Sequence, residues 1–155
     1  MLVLWRALPA QRHNGGMTVA PHVQGEGLYQ QIVRELIGLE AEAAERLVVE
    51  GEGLPLLTVA AVRQHLKPFL GEGQLPAFLR GRRGTVNVRM LDDLLAFCRL
   101  YADVRLVLDA EDAARWLSRP NRHLEGRSPL DLLVSRVGER RVRAYLEGLL
   151  SGNYG

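Results

Sequence analysis

From Leu28 onward the apolar residues recur at the three- and four-residue spacing of an α-helix, in short runs cut by Gly and Pro. Leu28, Ile32, Val33, Leu36 and Ile37 trace one helical face that Gly38 closes. Glu40–Glu50 reads as a second helix with Ala43, Ala44, Leu47 and Val48 inward. Thr58 is placed to cap a third, from Val59 to His65 or beyond, which Pro68 is expected to stop. Leu75–Leu79 makes a short apolar turn, and Gly81–Arg89, with alternating Val86 and Val88, reads as extended. Leu91, Leu94, Leu95, Cys98, Tyr101 and Ala102 then mark a long helix from about Met90 to Val107. Asp109 with Asp112 starts a helix over Ala110–Ser118 that Pro120 ends. Ser128-Pro129-Leu130-Asp131 supplies an N-cap, a proline at the first helical position and an acid at the third. A last helix from about Val137 carries Val142, Tyr145, Leu146 and Leu149 on one face and ends near Gly152. The expected fold is all-α, a small helical bundle.

At 155 residues the chain is about one domain long. With 47% hydrophobic and 25% charged residues it has the balance of a globular protein rather than of a disordered or rod-like one. Residues 1–27 have no period and are dense in Gly and Pro, so they are expected to form a flexible tail, with Met17 an alternative start. The apolar opening Met1–Trp5 is too short for a secretory signal, and no run reaches the ~18–20 apolar residues of a membrane span. One cysteine, Cys98, makes no internal disulfide, and the expected setting is cytoplasmic. Three Gly-Glu-Gly triplets, at 25–27, 51–53 and 71–73, read as helix punctuation.

Catalysis is not expected, nor a metal or cofactor. The nucleophile-elbow, zinc-protease, calcium-loop and phosphate-loop motifs are absent, and the four histidines stand apart from one another. Asp92 and Asp93 are adjacent, so on a helix they point about 100° apart and form no paired-carboxylate site. They read instead as acids at a helix N-terminus. Cys98 falls on the apolar face of its helix and reads as a core filler.

The most particular stretch is Trp116-Leu117, Pro120-Asn121, Leu124, Gly126, Pro129-Leu130-Asp131 and Leu132-Leu133. Physically it is a helix, a hard stop, a compact turn and a newly capped helix, with Trp116 expected to be largely buried at the corner. With Gly138, Val142, Leu146 and the ending Gly152-Asn153-Tyr154, this order resembles the C-terminal toxin-binding domain of Xre/MbcA/ParS-type antitoxins. The resemblance covers about residues 90–155. Gly38-Leu39, the acidic helix and Gly53-Leu54-Pro55 resemble more faintly the entry to that family's helix-turn-helix region. The expected organisation is therefore a tail (1–27), a degenerate helix-turn-helix-like region (28–89) and a toxin-binding domain (90–155).

The resemblance implies an antitoxin of a type II toxin–antitoxin system, a binding module whose partner is a RES-domain toxin that degrades NAD. In that family the antitoxin's C-terminal region covers the toxin's NAD pocket. Arg140, Arg141 and Arg143 with the end Gly152, Asn153, Tyr154 and Gly155 are then the candidate toxin contacts, Arg and Tyr being types that dominate interface energetics. The family also implies a homodimer, for which the apolar helix at 90–107 offers a surface.

A DNA-binding autorepressor is the competing reading, and a stand-alone helical adaptor a third. Segment 58–89 carries Arg63, Lys67, Arg80, Arg82, Arg83 and Arg89 against a single acid, Glu72. Yet where the family's full-length members place a turn and an Arg-rich recognition helix, only Gly81–Arg89 stands here, roughly ten residues shorter, and a recognition helix must lay several side chains along the major groove. Arg80, Arg82, Arg83 and Arg89 remain candidate phosphate contacts, which need only charge and reach.

Overall fold

The computed structural model describes residues 21–152. The apolar start and most of the expected tail, with Asn153, Tyr154 and Gly155, lie outside the described residues. What is described is mostly helical, as the periodicity implies. In chain order it runs α1 (Pro21–Ile37), α2 (Ala41–Val49), β1 (Leu54–Thr58), α3 (Val59–Leu70), a 3-10 turn (Ala77–Leu79), β2 (Thr85–Val86) and α4 (Val88–Arg105). Then follow α5 (Ala110–Ser118), a second 3-10 turn (Arg122–Leu124), α6 (Pro129–Leu132) and α7 (Arg136–Leu150).

Helix α4 is the axis of the fold. Leu91, Leu94, Cys98, Leu100, Tyr101, Ala102 and Val104 are all fully buried, because α1, α2, α3 and α5 pack around them. Tyr101 meets Phe69 of α3 edge to face at 5.4 Å and donates its hydroxyl to the Phe69 carbonyl. This corrects the expectation that 90–107 offers a dimer surface: its apolar positions are consumed inside one chain. Cys98 is a core filler as expected, and burial pushes its thiol pKa up.

The first helix begins inside the stretch read as a tail. Its Gly25 and Gly27 are helical, so the triplet at 25–27 is not punctuation, whereas those at 51–53 and 71–73 do follow helix ends. Gly25 is buried where α1 closes on the end of α4, and a Cβ there would already touch Leu106 at 3.6 Å. The neighbouring Glu26 pairs with Arg99 of α4, whose guanidinium lies 3.6 Å above the Tyr29 ring, and Tyr29 donates to Glu45 of α2 at 2.6 Å. Contacts contributed by α2 and α4 thus order a segment with no period of its own.

Pro68 does not stop α3, which runs to Leu70. Phe69 and Leu70 are buried and hold the last turn, and Gly71, at φ +90°, ends it by donating to the Lys67 carbonyl. Strand β1 has no periodic signature and exists because β2 pairs with it antiparallel, Leu54 opposite Val86. Gly53 permits this approach, since a Cβ there would lie 2.5 Å from the Val86 carbonyl oxygen. Thr58 ends β1 and caps α3 by accepting from the Ala61 amide.

Candidate partner-binding surface

The capping chemistry of the C-terminal third is in place. Asp109 accepts from the Asp112 amide and opens α5 over the expected residues. Asn121 accepts from the His123 amide with its side chain, and its carbonyl takes the amides of Leu124 and Gly126. Its own amide donates to the Arg127 carbonyl, closing the loop on itself. Leu124 points inward, buried, and plugs that loop from beneath. Ser128 and Asp131 form a reciprocal capping box at the head of α6. Pro129 and Leu130 are buried beneath it, while Pro120 and Gly126 lie exposed. A cap at Ser135, which periodicity did not signal, starts α7. At this corner Gly138 sits so tightly on α6 that a Cβ would fall 1.8 Å from the Leu132 carbonyl oxygen.

Trp116 is only half-buried, which corrects the expectation of a core residue. The core position of α5 is taken by Leu117, which is fully buried. Trp116 instead stacks on Tyr145 of α7, centroids 5.8 Å apart and planes within 6°, and Tyr145 stacks on His123 at 5.2 Å. Three elements contribute one ring each. The sequence hid this because the partners are distant in the chain, although Tyr145 alone marks α7 with an aromatic on its half-buried edge.

The three arginines of α7 fare differently. Arg143 reaches Asp103 of α4 at 2.7 Å and Glu139 at 3.7 Å, so it fastens α7 to the body. Arg141 lies 3.2 Å from Glu125 of the loop. Arg140 is exposed and makes no ion pair among the described residues. Gly152 is exposed at φ +80°, just past the end of α7. Asn153, Tyr154 and Gly155 lie outside the described residues.

The basic segment is likewise divided. Arg80 pairs with Asp131 at 2.8 Å and donates to the Leu75 carbonyl. It joins the 3-10 turn to the head of α6 and is engaged in this pair, unlike the other three candidate phosphate contacts. Arg82 and Arg83 sit exposed between Gly81 and Gly84, both at positive φ, and Arg89 is exposed at the start of α4. Arg63 of α3 donates to the Arg82 carbonyl, and the Val59 amide to that of Gly84, so the turn is fixed while its two side chains stay outward. Asp92 and Asp93, read as helix-dipole acids, share a bridge to Arg136 of α7. Burial raises the Asp93 pKa against the pull of Arg136. Asp93 and Arg136 border a cleft lined also by Phe78, Phe97, Leu133 and Val134. No group of three potential metal ligands occurs among the described residues, and no helix there is long and apolar enough to cross a membrane.

Residues 104–152 match the family model of the antitoxin Xre/MbcA/ParS C-terminal toxin-binding domain. No curated protein and no solved structure matches the chain. The matched stretch runs from the last turn of α4 to the residue after α7, and it holds the caps, the closed loop and the aromatic stack just described. Over these residues, about a third of its length, the chain is thus similar to the toxin-binding domain of the Xre/MbcA/ParS antitoxins.

Proposed function

We propose that this chain is the antitoxin of a type II toxin–antitoxin system and neutralises a RES-domain, NAD-degrading toxin by covering its active site. The observation that carries this reading is the match over 104–152. It falls on a unit whose loop and helix starts are fixed by their own caps. Such a unit presents a preorganised face, and preorganisation lowers the ordering cost of binding. Arg140 stands exposed on α7 and Gly152 lies just past its end, and the reading assigns both to the toxin contact. The protein acts by binding, not by chemistry of its own. Homodimerisation, if it accompanies this role, uses a face other than α4.

The test searches the genes flanking this one for a RES-domain toxin and co-expresses the two, scoring growth and cellular NAD. The full chain restores both. Deleting 152–155 weakens the rescue and leaves thermal unfolding unchanged. Equal rescue by the truncated chain overturns the role of the end, and no rescue by the full chain overturns the reading.

A second activity is favoured by one observation, the turn Gly81–Gly84 held by Arg63 with Arg82 and Arg83 outward. With Arg89 it forms a basic knob fit for phosphate contacts without base reading. A gel shift on the promoter upstream of this gene, repeated over a salt series, tests whether the chain is also an autorepressor.

A further inference from the structure

Around the Trp116–Tyr145–His123 stack the charge is one-sided. Arg119 ends α5 one turn after Trp116, Arg122 precedes His123, and Arg127 closes the same loop. All three are exposed and make no ion pair among the described residues. The loop's only carboxylate, Glu125, is taken by Arg141. Within the stack, the Trp116 indole Nε1 is covered yet has no hydrogen-bond acceptor among the described residues. A covered donor without an acceptor is uncommon in folded proteins, and a small shift of the ring toward an incoming acceptor relieves it. Trp, Tyr and Arg are also the residue types most often found to dominate interface energetics.

We infer that this aromatic stack with its arginine rim is the surface on which the toxin docks, and that the toxin meets it with an acidic patch whose carboxylates pair with Arg119, Arg122 and Arg127. The inference rests on the antitoxin reading above and adds to it a place and a partner chemistry. Arginine forks pair bidentately with carboxylates, and a patch of one sign steers a partner of the other. Docking here sets the edge of α7 that carries Tyr145 against the toxin. The aromatic stack is then the anchor of the complex.

The chain has two tryptophans, Trp5 and Trp116, so Trp5→Phe leaves Trp116 as the sole indole. That variant, grown with 5-fluorotryptophan, is titrated with the unlabelled RES-domain toxin that the flanking-gene search yields and followed by fluorine NMR. The single resonance is expected to shift or broaden on binding. In parallel, Arg122→Glu with Arg127→Glu is expected to weaken binding tenfold or more with unchanged thermal unfolding. If the parent chain binds but the resonance stays in place and the reversed variant binds within twofold, the surface is wrong and the antitoxin reading stands. If the parent chain does not bind, both fall.

Discussion

Arg80 Nη1 lies 2.8 Å from Asp131 Oδ1, and the same carboxylate accepts the Ser128 amide through its other oxygen. One side chain thus completes the capping box of α6 and anchors the 3-10 turn that precedes the basic knob. The matched domain is not an appendage on the upstream helices. It shares this pair, and it shares α4, with them.

Asp131→Asn is expected to destabilise the fold by about 1 kcal/mol, the usual cost of losing a helix cap. The Ser128 amide, seconded by Arg80, holds the Asp131 pKa below the ordinary carboxylate range. A carboxylate depressed in the folded state contributes stability that is complete above its unfolded pKa and disappears as pH falls through the folded one. The parent chain should therefore lose stability below about pH 4 more steeply than the variant. Urea midpoints measured from pH 7 down to pH 3 check this.

Gly138→Ala is expected to cost about 2–4 kcal/mol, because the new methyl meets the Leu132 carbonyl and α7 must move off α6. The same change at Gly27, where a Cβ meets nothing within 4 Å, should be neutral or slightly stabilising. Thermal unfolding of the two variants separates packing from propensity.

Trp116→Ala is expected to cost about 2 kcal/mol, below the loss for a fully buried aromatic, since the ring is half-exposed and contributes its stacking on Tyr145. Leu117→Ala, one residue on and fully buried, should cost about 2–5 kcal/mol. Chemical denaturation that ranks Trp116 above Leu117 would reverse this assignment of core and surface.

Arg82→Ala with Arg83→Ala should leave stability within about 0.5 kcal/mol, both side chains being exposed. If the knob binds phosphates, the salt slope of DNA affinity should fall by about two, one per contact removed. Arg63→Ala should reduce the same affinity while losing stability, because its guanidinium fixes the turn through the Arg82 carbonyl.

Cys98 should resist thiol reagents in the native state at pH 8 and react on unfolding, since it is fully buried and its ionisation is suppressed there. Labelling with and without denaturant reads this directly.

Local chemistry was legible in the sequence. Helix starts at Thr58, Asp109 and Ser128, the stop at Pro120 and the inward Leu124 depend on residues within a few positions of each other, so spacing alone specifies them. The family resemblance was legible for the same reason, its markers being caps, stops and turn residues in a fixed order. The tertiary structure decided everything that needed a distant partner. Pro68 stays helical because Phe69 and Leu70 find a core, and β1 exists because β2 lies beside it. Gly25 orders because α4 ends against it. Which arginines are free was also beyond the sequence: Arg80 and Arg143 carry the same charge as Arg82 and Arg140, and only the placement of Asp131 and Asp103 distinguishes the fastened from the exposed. Periodicity records which face of a helix is apolar, whereas contacts between elements record which other face it meets. The aromatic stack of Trp116, His123 and Tyr145 belongs wholly to the second kind.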